Sequence, residues 1–260
     1  MTPRLPHPKY VTSVAWRQFI VWRKLLGSAL TTNIANPILF LFAFGFGLGQ
    51  FIDRMEGMSY MAFVVPGMIA YSAMFAASFE TTIGSYSRYE WLQNWDAVLA
   101  TPVTLTELLM GEVMWATAKA MMSAVSVLIV GWMWGGIPSF SGALMVMPLV
   151  FVASICFACC GLTATAYAKG WEFVSYFFTF WVTPMFVFCG VFFEVSRFPD
   201  YVQKVAWFLP MTHLIASVRP LSAGIPVDPG EIALHMAYLV ALSIVAFTLA
   251  IRRMHKKMFD

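Results

Sequence analysis

The stretch YMAFVVPGMIAYSAMFAASFETT, residues 60–82, decides the fold class. Glu80 is its single charged residue, and most of the other side chains are apolar. A run of about 20 apolar residues is the length that crosses about 30 Å of hydrocarbon as an α-helix. The stretch therefore predicts a transmembrane helix.

Comparable stretches recur along the whole chain. Sixty per cent of the 260 residues are hydrophobic and 11% are charged, whereas soluble domains carry about 25% charged residues. One core of this size cannot bury so much apolar surface, so lipid must cover a large part of it. The fold class is therefore all-α and integral to the membrane, with six transmembrane helices. The predicted spans are residues 31–50, 60–82, 107–134, 143–167, 172–193 and 232–251.

Prolines interrupt three of these spans, at Asn36-Pro37, Pro66-Gly67 and Thr183-Pro184. Backbone breaks persist inside a membrane only where neighbouring protein or a cavity satisfies the freed polar groups. The interruptions thus favour a packed helix bundle over six separate anchors.

The distribution of Lys and Arg predicts the orientation. An even number of spans places both termini on one side, and eleven of the sixteen Lys and Arg residues fall there, against four on the other side. Cytoplasmic loops carry the excess of basic residues. We therefore expect a multi-pass protein of the bacterial inner membrane with both termini in the cytoplasm.

The N-terminal region has the pattern of a surface helix. Val11, Ala15, Phe19, Trp22 and Leu26 recur at intervals of three or four residues and share one helical face. Such a helix lies along the membrane surface with its apolar face on lipid; a cytosolic extension of the first span is the alternative. The predicted organisation is an N-terminal cytoplasmic interfacial helix (1–30), a six-span domain (31–251) and a basic cytoplasmic tail (252–260).

A second amphipathic pattern lies in GSYSRYEWLQNWDAVLATP, residues 84–102. Trp91, Trp95, Val98 and Leu99 are spaced as on one face of a helix, which Thr101-Pro102 ends. This predicts a short cytoplasmic helix between spans two and three. Its apolar face can lie on lipid or dock into a groove of a partner.

The region 194–230, between spans five and six, contains five prolines and is too long for a simple connector. It is predicted to be a packed outer cap or a re-entrant element. Two of its residues, His213 and Arg219, can hold a polar or anionic headgroup; a structural role at helix ends is the alternative.

Glu80, Glu112 and Lys119 fall inside predicted spans, where a charged residue costs about 2.5–3.5 kcal/mol on insertion scales. Glu80 lies near the end of span two, and Lys119 lies within span three, seven residues after Glu112. We predict that Glu80 or Glu112 pairs with Lys119 between these helices. In the alternative, Lys119 extends towards water and the two carboxylates lie among lipid headgroups.

Aromatic residues recur at intervals of four within the spans. Rings can stack on the apolar faces of sugars, so these stripes can line a path for a saccharide. Helix packing or lipid contact is the alternative. The candidate path residues are Phe40, Phe44, Tyr71, Phe75, Tyr176 and Phe180.

Five stretches, in this order, give the chain a family resemblance. It resembles the permeases of ABC-2 type exporters, and within them the nodulation-factor export (NodJ-like) permeases. The similarity covers nearly the whole chain. The order of the five stretches together is more specific than any single stretch. The stretches are NPILFLFAFGFGLG (36–49), the segment 60–82 quoted above, WDAVLATPVTLTELLMGE (95–112), TPMFVFCGVFF (183–193) and FLPMTHLIASVRPLSAG (208–224).

The resemblance implies a homodimer joined to two copies of a separate cytoplasmic ATPase, which binds ATP and Mg²⁺. This chain itself would hold no cofactor or metal. The cargo of such exporters is a lipo-oligosaccharide, another glycolipid, a polysaccharide or a drug. The resemblance also makes the segment 84–102 the element that couples to the ATPase. Its predicted contact residues are Arg88, Tyr89, Glu90, Trp91, Leu92, Trp95 and Leu99.

Other functional classes fit the residues less well. The chain has no GxxxxGK(S/T) phosphate loop, so an ATP-driven transporter built on it would take its ATPase from another polypeptide. Its four histidines are scattered and do not indicate an intramembrane enzyme. A secondary transporter or channel would need charge near the membrane centre, and Lys119 alone fits. The net charge of +3 does not indicate a nucleic-acid partner.

Overall fold

The computed structural model describes residues 6–24, 27, 35–52, 54–138 and 140–259, and these residues are almost entirely helical. Two-residue strands β1 (Arg54–Met55) and β2 (Met58–Ser59) form an antiparallel hairpin. The α-helices are α1 (Pro8–Lys24), α2 (Asn36–Phe42), α3 (Tyr60–Phe79), α4 (Asn94–Leu99), α5 (Leu105–Met133), α6 (Phe140–Tyr167), α7 (Trp171–Phe177), α8 (Thr183–Phe188), α9 (Asp200–Trp207), α10 (Pro210–Ser222) and α11 (Pro229–Phe259).

Four helical stretches among the described residues are long and apolar enough to cross a membrane: Tyr60–Trp91, Leu105–Met133, Ser141–Tyr167 and Pro229–Phe259. They correspond to the second, third, fourth and sixth predicted spans. The first prediction begins at 31–34, outside the described residues, and continues as the shorter apolar helix Ile38–Gln50. The count of six spans therefore stays a prediction.

The region of the fifth prediction consists of α7 and α8 joined by the π-helical turn Phe178–Val182. Pro184 stands in the first turn of α8. Because proline lacks an N–H and its ring clashes with the carbonyl one turn back, the preceding residues cannot keep a regular α-helical pattern. The predicted interruption at Thr183-Pro184 thus takes the form of a local change of helix type.

Pro66-Gly67 does not interrupt its helix, because α3 continues through both residues. Gly67 instead allows a close contact: a Cβ atom there would lie 2.8 Å from the carbonyl oxygen of Val191. Because Gly67 has no side chain, α3 can pack directly against the backbone that follows α8.

The two ends of the bundle are distinct. At the termini end, α1 packs on the first turns of α5, and Lys257 in the last turn of α11 donates to the carbonyl oxygen of Ala168 at 2.8 Å. Residues 252–259 of the predicted tail continue α11 as helix. The hairpin end carries the β1–β2 hairpin, α9 and the loops around them.

Helix α1 presents its apolar face to protein, which corrects the prediction that this face rests on lipid. Val14, Ala15 and Gln18 are buried, and the rings of Phe19 and Trp22 lie 6.2 and 5.9 Å from that of Trp115 in α5. Gly111 in α5 makes the approach possible, because a Cβ atom at this position would lie 2.6 Å from the Val14 side chain. Leu26 lies outside the described residues.

A capping box begins α5. The hydroxyl of Thr104 accepts from the backbone N–H of Glu107 at 3.3 Å, and the Glu107 carboxylate accepts from the backbone N–H of Thr104 at 2.8 Å. The same carboxylate accepts from the backbone N–H of His7 at 2.7 Å. The helix start is therefore fixed together with the start of α1.

A π-helical turn, Glu80–Gly84, follows α3 and changes the direction of its side chains. The hydroxyl of Thr165 in α6 donates to the carbonyl oxygen of Thr81 at 2.7 Å, which satisfies a backbone group in the turn. This turn sets the position of Glu80 in the cluster described next.

Candidate functional site: an ion cluster beneath the segment 87–99

Four charged side chains meet at the termini end of α3 and α5, and we call them the ion cluster: Glu80, Arg88, Glu112 and Lys119. Arg88 Nη1 lies 2.8 Å from Glu80 Oε1, and Arg88 Nη2 lies 2.5 Å from Glu112 Oε2. Lys119 Nζ donates to Glu80 Oε2 at 2.7 Å. Of the two predicted partners of Lys119, Glu80 is therefore the one that contacts it, whereas Glu112 contacts Arg88. Two cations and two carboxylates make the cluster neutral overall.

Glu112 is fully buried and receives hydrogen bonds from three further elements. Gln18 in α1 donates to its Oε1 at 2.7 Å, and Trp95 in α4 donates to the same oxygen at 3.2 Å. Ser85, between α3 and α4, donates to Oε2 at 2.9 Å. One carboxylate thus joins α1, α4, α5 and the chain after α3.

Burial makes the cluster a rigid connection. A buried charge is costly unless it is paired and hydrogen-bonded, and removal of one partner from a buried pair costs about 3–5 kcal/mol. The segment 87–99 carries Arg88 and Trp95, both bound to Glu112. A displacement of this segment must therefore move α3 and α5 as well, or break contacts of that magnitude.

The segment 87–99 is not one amphipathic helix, so that prediction is wrong. Ser87–Trp91 forms a π-helical turn, and Gln93 has a φ of 47°, which separates this turn from α4. Trp91 and Trp95 consequently lie on different elements. Trp91 is 65% exposed, whereas Trp95 is 0% exposed.

The seven residues predicted to contact an ATPase are therefore divided by the structure. Arg88 and Trp95 face inwards to Glu112, Leu99 packs on the hydrophobic core, and Tyr89 packs between the ring of Trp95 and the ammonium of Lys257. The remaining three are exposed at the tip: Glu90, Trp91 and Leu92.

The exposed tip of the segment is supported from one side. The ring of Trp91 stacks on that of Trp171 at the start of α7, with 5.0 Å between the ring centroids and 19° between the planes. A polar recess of about 250 Å³ opens beside the tip, lined in part by Glu90, Asp96 and Lys257. At the termini end, the exposed apolar side chains of the tip thus lie next to a polar recess.

Four of the six candidate path residues form one aromatic ladder. Phe40, Phe44, Tyr71 and Phe75 contact each other or share partners: the Tyr71 ring lies 4.1 Å from that of Phe186, which in turn lies 5.5 Å from Phe40. The ladder continues through Phe79, next to Glu80, and through Phe192 at the hairpin end. These rings fill the space between α2, α3 and α8, so the ladder packs the bundle in this structure.

Tyr176 and Phe180 do not belong to the ladder. They lie on α7 and the π-helical turn after it, are 55% and 74% exposed, and border a groove on the outside of the bundle. The six candidate path residues therefore occupy two separate surfaces.

His213 in α10 lies against a second histidine that the sequence did not connect with it. Its Nδ1 lies 2.8 Å from Nδ1 of His235 in α11, and its Nε2 lies 2.8 Å from the carbonyl oxygen of Trp207. A carbonyl oxygen only accepts, so Nε2 of neutral His213 carries the proton and its Nδ1 accepts from His235. The arrangement has no room for protons on both facing nitrogens.

Arg219, also in α10, is buried and bound to the backbone. Its guanidinium donates to the carbonyl oxygens of Gly190 and Phe63 and lies 3.6 Å from the centroid of the Phe63 ring. Glu56, at the tip of the β1–β2 hairpin, is 4.0 Å away. Burial lowers the pKa of Arg219 to about 10, so the guanidinium remains charged at neutral pH. Arg219 also borders a cavity of about 440 Å³.

The histidine pair predicts an acid-sensitive hairpin end. Burial, with a smaller contribution from His235, lowers the pKa of His213 below its ordinary value of about 6.5. The unfolded chain therefore binds more protons than the folded chain, and stability is lost as the pH falls below that value. We expect the midpoint of thermal unfolding in detergent to fall between about pH 7.5 and 5.5.

The matched variants are His213→Asn, which should weaken this pH dependence, and His255→Asn, which changes an exposed histidine at the other end. An unchanged pH dependence in His213→Asn would contradict the assignment.

Two residues of the ion cluster's surroundings were not predicted from sequence. Gln18 interrupts the apolar face of α1 one turn after Val14, and a lone polar residue in such a stripe was the available signal. Ser85 has no comparable signal, because serine is common in loops and turns.

The described fold and this buried neutral cluster define the class: an α-helical membrane protein with several apolar helices packed around charged contacts. Residues 10–221 match the ABC-2 type transporter family, and the chain belongs to that family. It is 31% identical to Nodulation protein J of Sinorhizobium fredii over 98% of this chain and 97% of the relative. It is 32% identical to Nodulation protein J of Rhizobium leguminosarum bv. viciae over 94% and 93%. Its identity to the inner membrane transport permease YadH of Escherichia coli is 26% over 73% of each chain.

Proposed function

We propose that this chain is the membrane permease subunit of an ATP-driven exporter. It works as a homodimer with two copies of a separate cytoplasmic ATPase, which binds ATP and Mg²⁺. One observation carries the proposal: the exposed pair Trp91 and Leu92 projects from a segment that Arg88 and Trp95 bind to Glu112. An exposed apolar tip suits a partner surface, and its buried base suits transmission of force.

The mechanism follows from these contacts. Closure of the ATPase around ATP displaces Trp91 and Leu92, and Arg88 conveys this displacement to Glu80 and Glu112 on α3 and α5. Because the cluster is buried and fully paired, the helices move with the segment and the contacts are kept. The same displacement changes the packing of the aromatic ladder, whose ring Phe79 neighbours Glu80.

The proposed topology has six spans with both termini on the cytoplasmic side of a bacterial inner membrane. The excess of Lys and Arg at the termini end supports this orientation. One relative is named as an inner membrane transport permease, which supports the location. The termini end, with Trp91 and Leu92, would then face the ATPase.

The proposed cargo is an amphiphilic glycolipid, lipo-oligosaccharide or polysaccharide. Support comes from the relatives named Nodulation protein J, which align with nearly the whole chain. The aromatic ladder supplies rings that can stack on sugar faces once α2 separates from α3 and α8. At the outer side, Arg219 borders a cavity of about 440 Å³ and would contact the cargo's polar group there, whereas both ring nitrogens of His213 are already bonded.

The experiment that tests the proposed function is co-purification of the tagged chain from its native membrane in mild detergent. We expect a stoichiometric partner that contains a phosphate loop, and ATPase activity that vanadate inhibits. Proteoliposomes with the complex should then move a labelled glycolipid but not a labelled small drug. A chain that purifies as an oligomer without any nucleotide-binding partner would overturn the proposal in favour of a channel or secondary carrier.

A further inference from the structure

A groove on the outside of the bundle runs between α6, α7 and α11. Its volume is about 450 Å³, and nearly all of its surface is apolar. Tyr176 and Phe180 form one wall, and Leu242 and Leu249 form the opposite wall. Leu242 and Leu249 are seven residues apart on one helix, so the groove is about 10 Å long at a rise of about 1.5 Å per residue.

A cation stands at the end of this groove. Arg253 lies one helical turn beyond Leu249 on α11, and its guanidinium is 5.2 Å from the ring centroid of Tyr167, which lines the groove. The Nε atom of Arg253 is buried and has no hydrogen-bond partner, and no carboxylate within the described part of the chain forms an ion pair with this side chain.

A neighbouring basic residue, Lys257, contrasts with Arg253. Lys257, one turn further along α11, donates to the carbonyl oxygen of Ala168 and lies 4.5 Å from the ring centroid of Tyr89. The ammonium of Lys257 therefore has an acceptor and an aromatic partner within the chain. A buried N–H donor without an acceptor, such as Nε of Arg253, is costly, and pairing of the guanidinium with an external anion would offset that cost.

We propose that the groove binds one anionic phospholipid of the bilayer leaflet at the termini end. An acyl chain lies along Tyr176, Phe180 and Leu249, and the phosphate accepts from Arg253. Three features favour a bilayer lipid as the occupant. The groove lies on the outside of the bundle, its lining is almost entirely apolar, and Arg253 lies at its termini end, nearest the headgroups. Guanidinium pairs with phosphate in a bidentate geometry, and basic sites between transmembrane helices hold anionic headgroups.

Native mass spectrometry of the purified chain tests the proposal. The detergent-solubilised protein is mixed with vesicles of phosphatidylglycerol or of phosphatidylcholine, and the lipid that remains bound is counted. We expect one phosphatidylglycerol per subunit to be retained and phosphatidylcholine to be lost. Arg253→Gln should retain about five-fold less phosphatidylglycerol, the change that one Lys or Arg near a membrane surface produces.

Two further variants separate the parts of the site. Arg252→Gln changes an adjacent exposed arginine on another face of α11 and should leave lipid retention unchanged. Leu249→Trp fills the groove and should abolish retention although Arg253 is intact. Folding is checked by thermal unfolding, in which phosphatidylglycerol should raise the midpoint of the unmodified chain and not that of Arg253→Gln.

Equal retention of the two lipids, or an equal effect of Arg252→Gln and Arg253→Gln, would overturn the proposal. A loss of dimers rather than of lipid in Leu249→Trp would also overturn it, and would assign the groove to a second copy of the chain. None of these measurements involves the ATPase or the cargo, so the lipid site can fail while the proposed transport function stands.

Discussion

Replacement of Arg88 by methionine is expected to cost about 3–5 kcal/mol of stability, because it leaves the buried Glu112 carboxylate without a cation. Glu80 loses one of its two cations but keeps Lys119. The variant should show a clear fall in the midpoint of thermal unfolding in detergent. Lys169→Met, which removes an exposed cation at the same end of the bundle, is the control and should change the midpoint little.

A double-mutant cycle separates the pair from the general loss of charge. Arg88→Met combined with Glu112→Gln should be less destabilised than the sum of the single variants, since each single change leaves a buried charge unpaired. Lys119→Met with Glu80→Gln should show the same non-additivity. Strictly additive losses in both cycles would mean that these contacts do not act as pairs.

The sequence predicts one half of the ion cluster, the contact of Lys119 with a carboxylate, but not the other half, the contact of Arg88 with Glu112. Lys119 is predicted to pair with Glu80 or Glu112, because an isolated charge within an apolar span needs a partner, and in the structure the partner is Glu80. The contact of Glu112 with Arg88 was not predicted. The family resemblance instead places Arg88 among the residues that contact the ATPase, on the predicted cytoplasmic helix. Only the packing of α3, α4 and α5 shows that its side chain turns inwards.

The break in the segment 87–99 illustrates a limit of periodicity. The spacing of Trp91, Trp95 and Leu99 is that of one helical face. A single residue with positive φ, however, ends the helical path and separates Trp91 from Trp95 and Leu99. Gln93 is that residue, and glutamine carries no signal for this conformation, which glycine and asparagine favour.

The sequence predicts that this is a membrane protein more readily than it predicts the number of spans. Apolar runs such as 60–82 can be identified from composition alone, and the structure has membrane-length helices at four of the six predicted positions. The fifth region was harder, because Pro184 places a π-helical turn between two short helices. The apolar stripe in residues 11–22 correctly predicts the helix α1. The stripe does not reveal whether lipid or α5 covers that face of the helix.

The paired replacement Trp91→Ala and Leu92→Ala is expected to abolish coupling to the ATPase while the chain remains folded. Exposed aromatic residues at the centre of an interface often contribute 2 kcal/mol or more, which is about a 30-fold loss of affinity. Within the described part of the chain, the ring contact that the change removes is the stacking on Trp171, worth about 0.5–1.5 kcal/mol. Co-purification with the ATPase and the stimulation of its activity should therefore fall far more than the midpoint of thermal unfolding.

Trp95→Ala and Tyr201→Ala are the contrasting variants for this prediction. Trp95 is fully buried under Glu112, so its loss should cost about 3–5 kcal/mol of stability and cannot be interpreted as an interface effect. Tyr201 is as exposed as Trp91 but lies on α9 at the hairpin end, so its replacement should leave ATPase binding intact. If the double variant still bound and stimulated the ATPase, the tip of the segment would not be the contact. Force would then have to enter through the polar recess lined by Glu90 and Asp96, and the ion cluster would be a structural anchor only.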